Sequence, residues 1–356
     1  MCFLIEPKVI VISTINIKNK PFNFCETIIQ PGESASLALP LPEMFSCAPM
    51  YMPIKIINGK QDGPTLLVMA AMHGNELNGT EIINRLINAP QLKNIKGRLI
   101  LVPILNVHGF INRTRTLPGG ASLNKCFPGS LEGSHASRLA DLIVNQVVCH
   151  TDYCIDLQTG HLNYTNLPHI YIGQSNDQEK TLADSFSAPV VSSIPAEEGS
   201  LREVAESKNI PYLTYEAGEA MRFDENSIKV GFKGVMNVMR EIDMLSAAKT
   251  LHKPTPTFLT QDSEWVRSPT SGINHSHIQL GQKVSKNDTL SLIKDPFGSG
   301  SDVKMKAPSD GIVVGVNNLP LVHEGSAIYQ IAYFEKHNLA ASHFEDWEEE
   351  PKVVEI

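Results

Sequence analysis

Long apolar stretches are missing from this chain of 356 residues: the longest, Leu66 to Met72, has only seven. A membrane-spanning helix needs about 20, so no membrane span and no membrane partner is expected. The opening stretch, Met1-Cys-Phe-Leu-Ile-Glu6, has no basic region, and Glu6 and Lys8 interrupt its apolar residues. A secretory leader is therefore not expected. Cysteine is scarce, with six residues (2, 25, 47, 126, 149 and 154) and no C-x-x-C pair. That pattern speaks against a disulfide framework and for buried thiols in a reducing cytoplasm. An excess of base is missing too: 38 acids stand against 30 bases, a net charge of −8. Such a surface repels phosphate backbones, so no nucleic-acid partner is expected.

Hydrophobic residues at 42% against charged residues at 19% are enough for a packed core and exclude an intrinsically disordered chain. A single core rarely grows beyond about 250–300 residues, so two domains are expected. Residues 1–50 read as a β-rich lead-in punctuated by Pro31-Gly32, Pro40 and Pro42. From 51 to 250, apolar runs alternate with amphipathic stretches. Thr65–Ala71, Arg98–Ile104, Tyr153–Leu157, His169–Ile172 and Tyr212–Tyr215 read as strands. Helical spacing joins Ile82, Ile83, Leu86 and Ile87, then Leu139, Leu142, Ile143 and Val147, and a long helix is expected over Val230–Leu245. This alternation predicts an α/β fold with a mostly parallel mixed sheet flanked by helices.

Beyond the stiff segment Lys253-Pro-Thr-Pro-Thr257 no helical period survives. Pro269-Thr-Ser-Gly272-Ile273 recurs as Pro308-Ser-Asp-Gly311-Ile312, each followed by a β-rich segment. A smaller all-β barrel or sandwich is expected over residues 258–334. Residues 335–356 hold seven acids and two bases and read as a solvated acidic tail. The tail thus carries −5 of the net −8.

Four polar clusters each follow a different predicted strand, where open α/β sheets gather their ligands. His73-Gly-Asn-Glu76 could bring an imidazole and a carboxylate onto one cation; it is equally the start of a helix with a favourably placed acid. Asn106 to Arg115, followed by Ser122-Leu-Asn124-Lys125, offers Arg113, Arg115 and Lys125 as an anion site or as an ordinary basic loop. Asp156-Leu-Gln158-Thr-Gly160-His161 is the third cluster and Tyr215-Glu216-Ala-Gly218 the fourth. A carboxylate such as Glu216, beside an activated water, suits a general base; alone it is as readily a capping acid.

At these residues the sequence resembles the succinylglutamate desuccinylase/aspartoacylase family, within the wider zinc carboxypeptidase group. The match runs over residues 45–330. It includes Gly63-Pro64-Thr65, His73-Gly-Asn-Glu76, the Asn106 to Arg115 spacing, Leu123-Asn124-Lys125, Phe127-Pro128-Gly129, Asp156-Leu157 and Glu216-Ala-Gly218. Asp295-Pro-Phe-Gly298 and Pro308-Ser-Asp-Gly311 look like that family's small β-domain. The resemblance implies one bound Zn2+, with His73 and Glu76 as ligands and Arg115 as the arginine that polarises the carbonyl. It implies Asn124 and Lys125 as contacts for a substrate carboxylate and Glu216 as the general base; Arg113, from the same basic loop, is a further candidate contact for that carboxylate. Three residues depart from the family pattern: Gln158 stands where a second histidine ligand is usual, Lys125 for an arginine, and Ser122 for an aspartate. Either Gln158 in the ligand place or His161 nearby would complete the metal set.

The activity implied is hydrolysis of the amide bond of an N-acyl amino acid or a similar small carboxylate-bearing substrate. A carboxypeptidase acting on peptides, and a non-catalytic binding protein on the same fold, are the alternatives. The sequence leaves a homo-oligomer open.

Overall fold

Alternating side chains along each buried strand serve two different cores, and the helices follow from that division. The computed structural model describes residues 18–43, 48–174, 176–247, 257–298 and 300–334. The acidic tail, the first 17 residues and Lys253–Pro256 lie outside the described residues. The chain begins with a hairpin of β1 (Phe22–Phe24) and β2 (Thr27–Ile29), then β3 (Ser34–Pro40) and β4 (Tyr51–Asn58). Next come β5 (Gln61–Ala70), α1 (Asn78–Asn88), β6 (Lys96–Val102), α2 (Val107–Asn112) and α3 (His135–Gln146). β7 (Tyr153–Gly160), β8 (Tyr164–Ile172), α4 (Asp177–Phe186) and β9 (Val190–Ser193) follow. α5 (Leu201–Ser207), β10 (Tyr212–Glu219) and α6 (Glu225–Glu241) close the α/β part.

In β5, Leu66, Val68 and Ala70 pack with α1, α4 and α6 on one face, whereas Leu67 and Met69 pack with α3 and α5 on the other. A strand buried on both faces reads as an unbroken apolar run, which is why this one was legible. β5 pairs in parallel with β6 and β7, and β7 in parallel with β10. β8 then runs antiparallel to β10, and β4 antiparallel to β6. The sheet is mixed as expected but not mostly parallel: its centre is parallel, while antiparallel pairings toward both edges outnumber the parallel ones over the whole sheet. Helix starts are fixed by side-chain caps: Ser134 accepts from Ser137 N, Ser200 from Glu203 N and Asp224 from Ser227 N. The Asp224 cap starts α6 five residues before the expected Val230.

The remaining strands are β11 (Phe258–Arg267), β12 (Gly272–Ser276), β13 (Lys283–Val284), β14 (Thr289–Lys294), β15 (Val303–Lys306), β16 (Gly311–Asn317), β17 (Leu321–Val322) and β18 (Ala327–Phe334). They do not form the self-contained barrel or sandwich that the sequence suggested. β11 lies parallel to β9 and antiparallel to β18, and β16 pairs with both β18 and β8. The ring β8-β9-β11-β18-β16 therefore closes through two strands of the α/β part, and one 12-stranded sheet runs from β3 to β13. A separate four-stranded sheet, β15-β14-β12-β17, packs Leu290, Ile293 and Met305 against Val313, Ile328 and Ile331.

The cysteines depart from expectation as well. Of the four described, all free, only Cys154 is buried, whereas Cys25 and Cys149 are exposed. Among the described residues no helix is long and apolar enough to cross a membrane.

Candidate active site

Where β5 ends, the chain turns through His73-Gly-Asn-Glu76 before α1. The turn is pressed against the start of α2: a Cβ on Gly74 would lie 1.9 Å from the carbonyl carbon of Gly109. Leu105 N and Asn106 N donate to the carbonyls of Ala70 and Ala71, and the Asn106 side chain caps α2 through Gly109 N. His73 and Glu76 are thereby held together in the interior, with His73 Nδ1 2.8 Å from Glu76 Oε1. Arg115 reaches the same oxygen with Nη1 at 3.5 Å. Glu76 Oε2 is buried and has no hydrogen-bond partner.

The neighbouring strand ends complete the wall. On β7, Asp156 Oδ2 accepts from Gln158 Nε2 at 2.5 Å and from the Tyr212 hydroxyl at 2.9 Å. Burial pushes the Asp156 carboxyl up to about 6 despite those two hydrogen bonds. Glu216 stands opposite Gln158 in the parallel register of β10 and β7 and accepts from Asn166 Nδ2. Its carboxyl is pushed up to about 7, first by loss of water and then by the nearby Glu76 charge, with Asn166, Arg115 and His73 pulling the other way.

These side chains line one cavity of about 600 Å³, which also takes in Asn124, His161, Arg202, Trp265, Arg267 and Gln330. His73, Arg115, Asn124, Gln158 and Glu216 are thus brought together, with Glu76 bonded to His73. Arg113 and Lys125 are not: both are exposed and neither lines the cavity. Arg113 ends α2 in the left-handed region at φ 56°. Asn124 uses Oδ1 to accept from Leu201 N at the start of α5. His108 and His135 meet each other outside the cavity, Nε2 to Nε2 at 3.1 Å.

Sequence reasoning missed four contributors. Asn166 lies on a stretch of β8 with no periodic signal, and Trp265 and Arg267 come from β11, 190 residues or more beyond His73 in the chain. Arg202 is buried against the cavity with Nε and Nη2 lacking hydrogen-bond partners; Glu206 Oε1 stands 3.9 Å from Nε. An unsatisfied buried guanidinium is costly unless an anion meets it.

The donors suit a divalent cation in part. Buried Glu76 Oε2 is an acceptor without a donor, and Glu76, Asp156 and Glu216 bring three carboxyls near one imidazole. Among the described residues, however, no three His, Cys, Asp or Glu side chains come together as a metal-binding group. An ion held at His73 and Glu76 would need a donor of another kind to complete its set, and an amide oxygen is a chemically competent donor of the harder sort.

Residues 62–242, half of the chain, match the succinylglutamate desuccinylase/aspartoacylase catalytic domain. The chain belongs to the succinylglutamate desuccinylase/aspartoacylase family. It is 24% identical over 295 residues to the N-alpha-acetyl-L-2,4-diaminobutyric acid deacetylase of Halomonas elongata, covering 80% of this chain and 86% of that protein. Its fold is similar to that of a succinylglutamate desuccinylase/aspartoacylase from Rhodobacter sphaeroides (TM-score 0.76, 20% identity, 85% of this chain and 96% of that one). It is also similar to the product-bound ectoine utilization protein EutE (DoeB) of Ruegeria pomeroyi (TM-score 0.74, 24% identity, 84% and 95%).

Proposed function

We propose that this family member is a metal-assisted deacylase that hydrolyses the amide bond of an N-acyl amino acid or a similar small carboxylate-bearing amide. The observation that carries the reading is Glu216: a carboxyl pushed up to about 7 shares one cavity with Arg115 and with His73, to which Glu76 is bonded. A base poised near the working pH is the most effective proton carrier there. The deacetylase of Halomonas elongata, matched along most of both chains, supports the same reaction class.

One divalent cation, zinc by family resemblance, would sit at His73 and Glu76; such an ion acidifies water and polarises a carbonyl. The chain's own residues supply the rest. Glu216 takes the proton of the attacking water and returns it to the leaving amine. Arg115 meets the negative charge that develops on the carbonyl oxygen, the electrostatic contribution that is usually largest in acyl transfer. Arg202 and the Asn124 amide hold the substrate carboxylate. Trp265, Arg267 and Gln330, from β11 and β18, narrow the cavity, which favours a small substrate over a peptide in an open groove.

The test is hydrolysis of N-acyl amino acids, beside short peptides, by the wild type and Glu216→Gln. Removing the base should cost about 10²–10⁴-fold in kcat while metal content and folding stay unchanged. Full activity in Glu216→Gln, or turnover of peptides alone, overturns the reading. Absence of any turnover in metal-loaded wild type would favour the binding-protein alternative, which is worth the test because no three His, Cys, Asp or Glu side chains form a metal-binding group among the described residues.

A further inference from the structure

We propose that the third protein ligand at His73 and Glu76 is the side-chain amide oxygen of Gln158, not the imidazole of His161. In consequence, the site prefers zinc over manganese less strongly than a histidine at position 158 would make it. This inference rests on the metal-assisted reading above and concerns what this chain, with its glutamine, does with the cation.

The strand register positions Gln158. Met69 pairs with Asp156 and Ala70 with Leu157, so Gln158 lies level with the residue after β5, beside the His73 turn. On its other side Gln158 faces Glu216 of β10. Asp156 and Gln158, two residues apart on one strand, point to the same face, and both line the cavity. The 2.5 Å contact between Gln158 and Asp156 then orients the amide. In that contact the amide nitrogen is the donor, so the NH2 arm of Gln158 faces Asp156. The carbonyl oxygen, on the opposite arm of the same planar group, is turned away from Asp156. The Tyr212 hydroxyl, on the same Asp156 oxygen at 2.9 Å, fixes the partner that does the orienting.

His161 also lines the cavity, close enough to feel the charges of Arg115, His73 and Glu76, but no strand holds it beside the His73 turn. It lies past the end of β7, is exposed, and rests edge-on against Tyr164 with ring centroids 6.2 Å apart. His73, Glu76 and His161 do not form a metal-binding group. The donor set is then one imidazole nitrogen with the oxygens of Glu76 and Gln158. Imidazole suits zinc, whereas carboxylate and carbonyl oxygens suit manganese and magnesium. Zinc still binds the tighter of the two, but by a smaller ratio.

The experiment measures affinities of the full, metal-free chain for Zn2+ and Mn2+ by competition with a chromophoric chelator. The wild type is compared with Gln158→His, Gln158→Ala, His161→Ala and His73→Ala, with thermal melting to check each fold. Gln158→His should tighten zinc by about tenfold or more, and manganese by less, so that the zinc-to-manganese ratio widens. Gln158→Ala should weaken both ions, and carries the result if the histidine variant melts early. His161→Ala should leave both affinities within about twofold of wild type. If instead His161→Ala weakens zinc as His73→Ala does, and changes at position 158 do nothing, this inference is overturned while the metal-assisted reading stands. If His73→Ala leaves zinc binding untouched, both fall together.

Discussion

Asn166 donates from its side-chain amide to the carboxylate of Glu216 at 2.5 Å, across the antiparallel pair of β8 and β10. That bond favours the charged form of an acid whose burial favours the neutral one. Replacing Asn166 by Ala should therefore raise the Glu216 pKa above its value of about 7. Because a general base works only when deprotonated, the acid limb of the pH profile of kcat/KM should move to higher pH. The loss should be largest at neutral pH and recover in alkali. A uniform loss at every pH would assign Asn166 a purely structural part.

His169 gives a second pH dependence, of stability rather than rate. It is buried on β8 with Nε2 2.7 Å from the Ser192 hydroxyl, and burial pushes its pKa down to about 3. The unfolded chain takes up the proton near the ordinary imidazole value of about 6.5. The folded state binds fewer protons, so this contribution to stability is full above about 6.5 and is lost as the pH falls toward 3. At pH 5 the loss is about 2 kcal/mol. His169→Gln keeps a nitrogen near the serine and cannot titrate, so its denaturation midpoint should fall less than that of wild type between pH 7 and pH 5. Equal slopes for the two proteins would contradict the assignment.

Gly74 links fold and site at a single atom. An added Cβ would meet the backbone of Gly109 and Phe110 at 1.9–2.1 Å, far inside contact distance. Backbone on both sides leaves nothing soft to move, so Gly74→Ala must push the His73 turn off α2. Overpacking of this kind costs about 1–3 kcal/mol or more. The melting temperature should fall, and metal uptake by His73 and Glu76 should fall with it. Wild-type metal affinity in Gly74→Ala would show that the turn is not what positions the pair.

Much of this was open to sequence reasoning because it is local. The runs in β5, β7 and β10 are buried on both faces, and each ends directly in a polar cluster, so strand and site residue share one short window. What escaped depends on pairings between distant segments. β8 was read only at His169–Ile172, yet it begins at Tyr164, because its polar first half is held by β10 and β16 rather than by its own pattern. Gly315 pairs with Asn166, and nothing within either segment signals that contact. The same closure brings Trp265 and Arg267 to the cavity. The basic loop misled for the opposite reason: the charges of Arg113 and Lys125 are visible in sequence, but their direction is set by a left-handed helix end and an exposed turn.

That last point separates two cations by experiment. Lys125 is exposed and outside the cavity, whereas Arg202 is buried against it with two guanidinium nitrogens that lack hydrogen-bond partners, one of them 3.9 Å from Glu206 Oε1. A hydrogen bond to a charged group contributes about 1.5–3 kcal/mol, more where water is excluded. Arg202→Ala should therefore lower kcat/KM for an N-acyl amino acid by about 10–10²-fold, each tenfold corresponding to about 1.4 kcal/mol. Lys125→Ala should stay within about twofold of wild type, as exposed charges contribute little. Because Arg202 is buried, its removal also loosens α5, and a second substrate isolates the recognition effect. On the N-acyl amine lacking the carboxylate, wild type and Arg202→Ala should turn over at similar rates. An equal loss on both substrates would make Arg202 a packing residue, and a large loss in Lys125→Ala would return the carboxylate to the exposed loop.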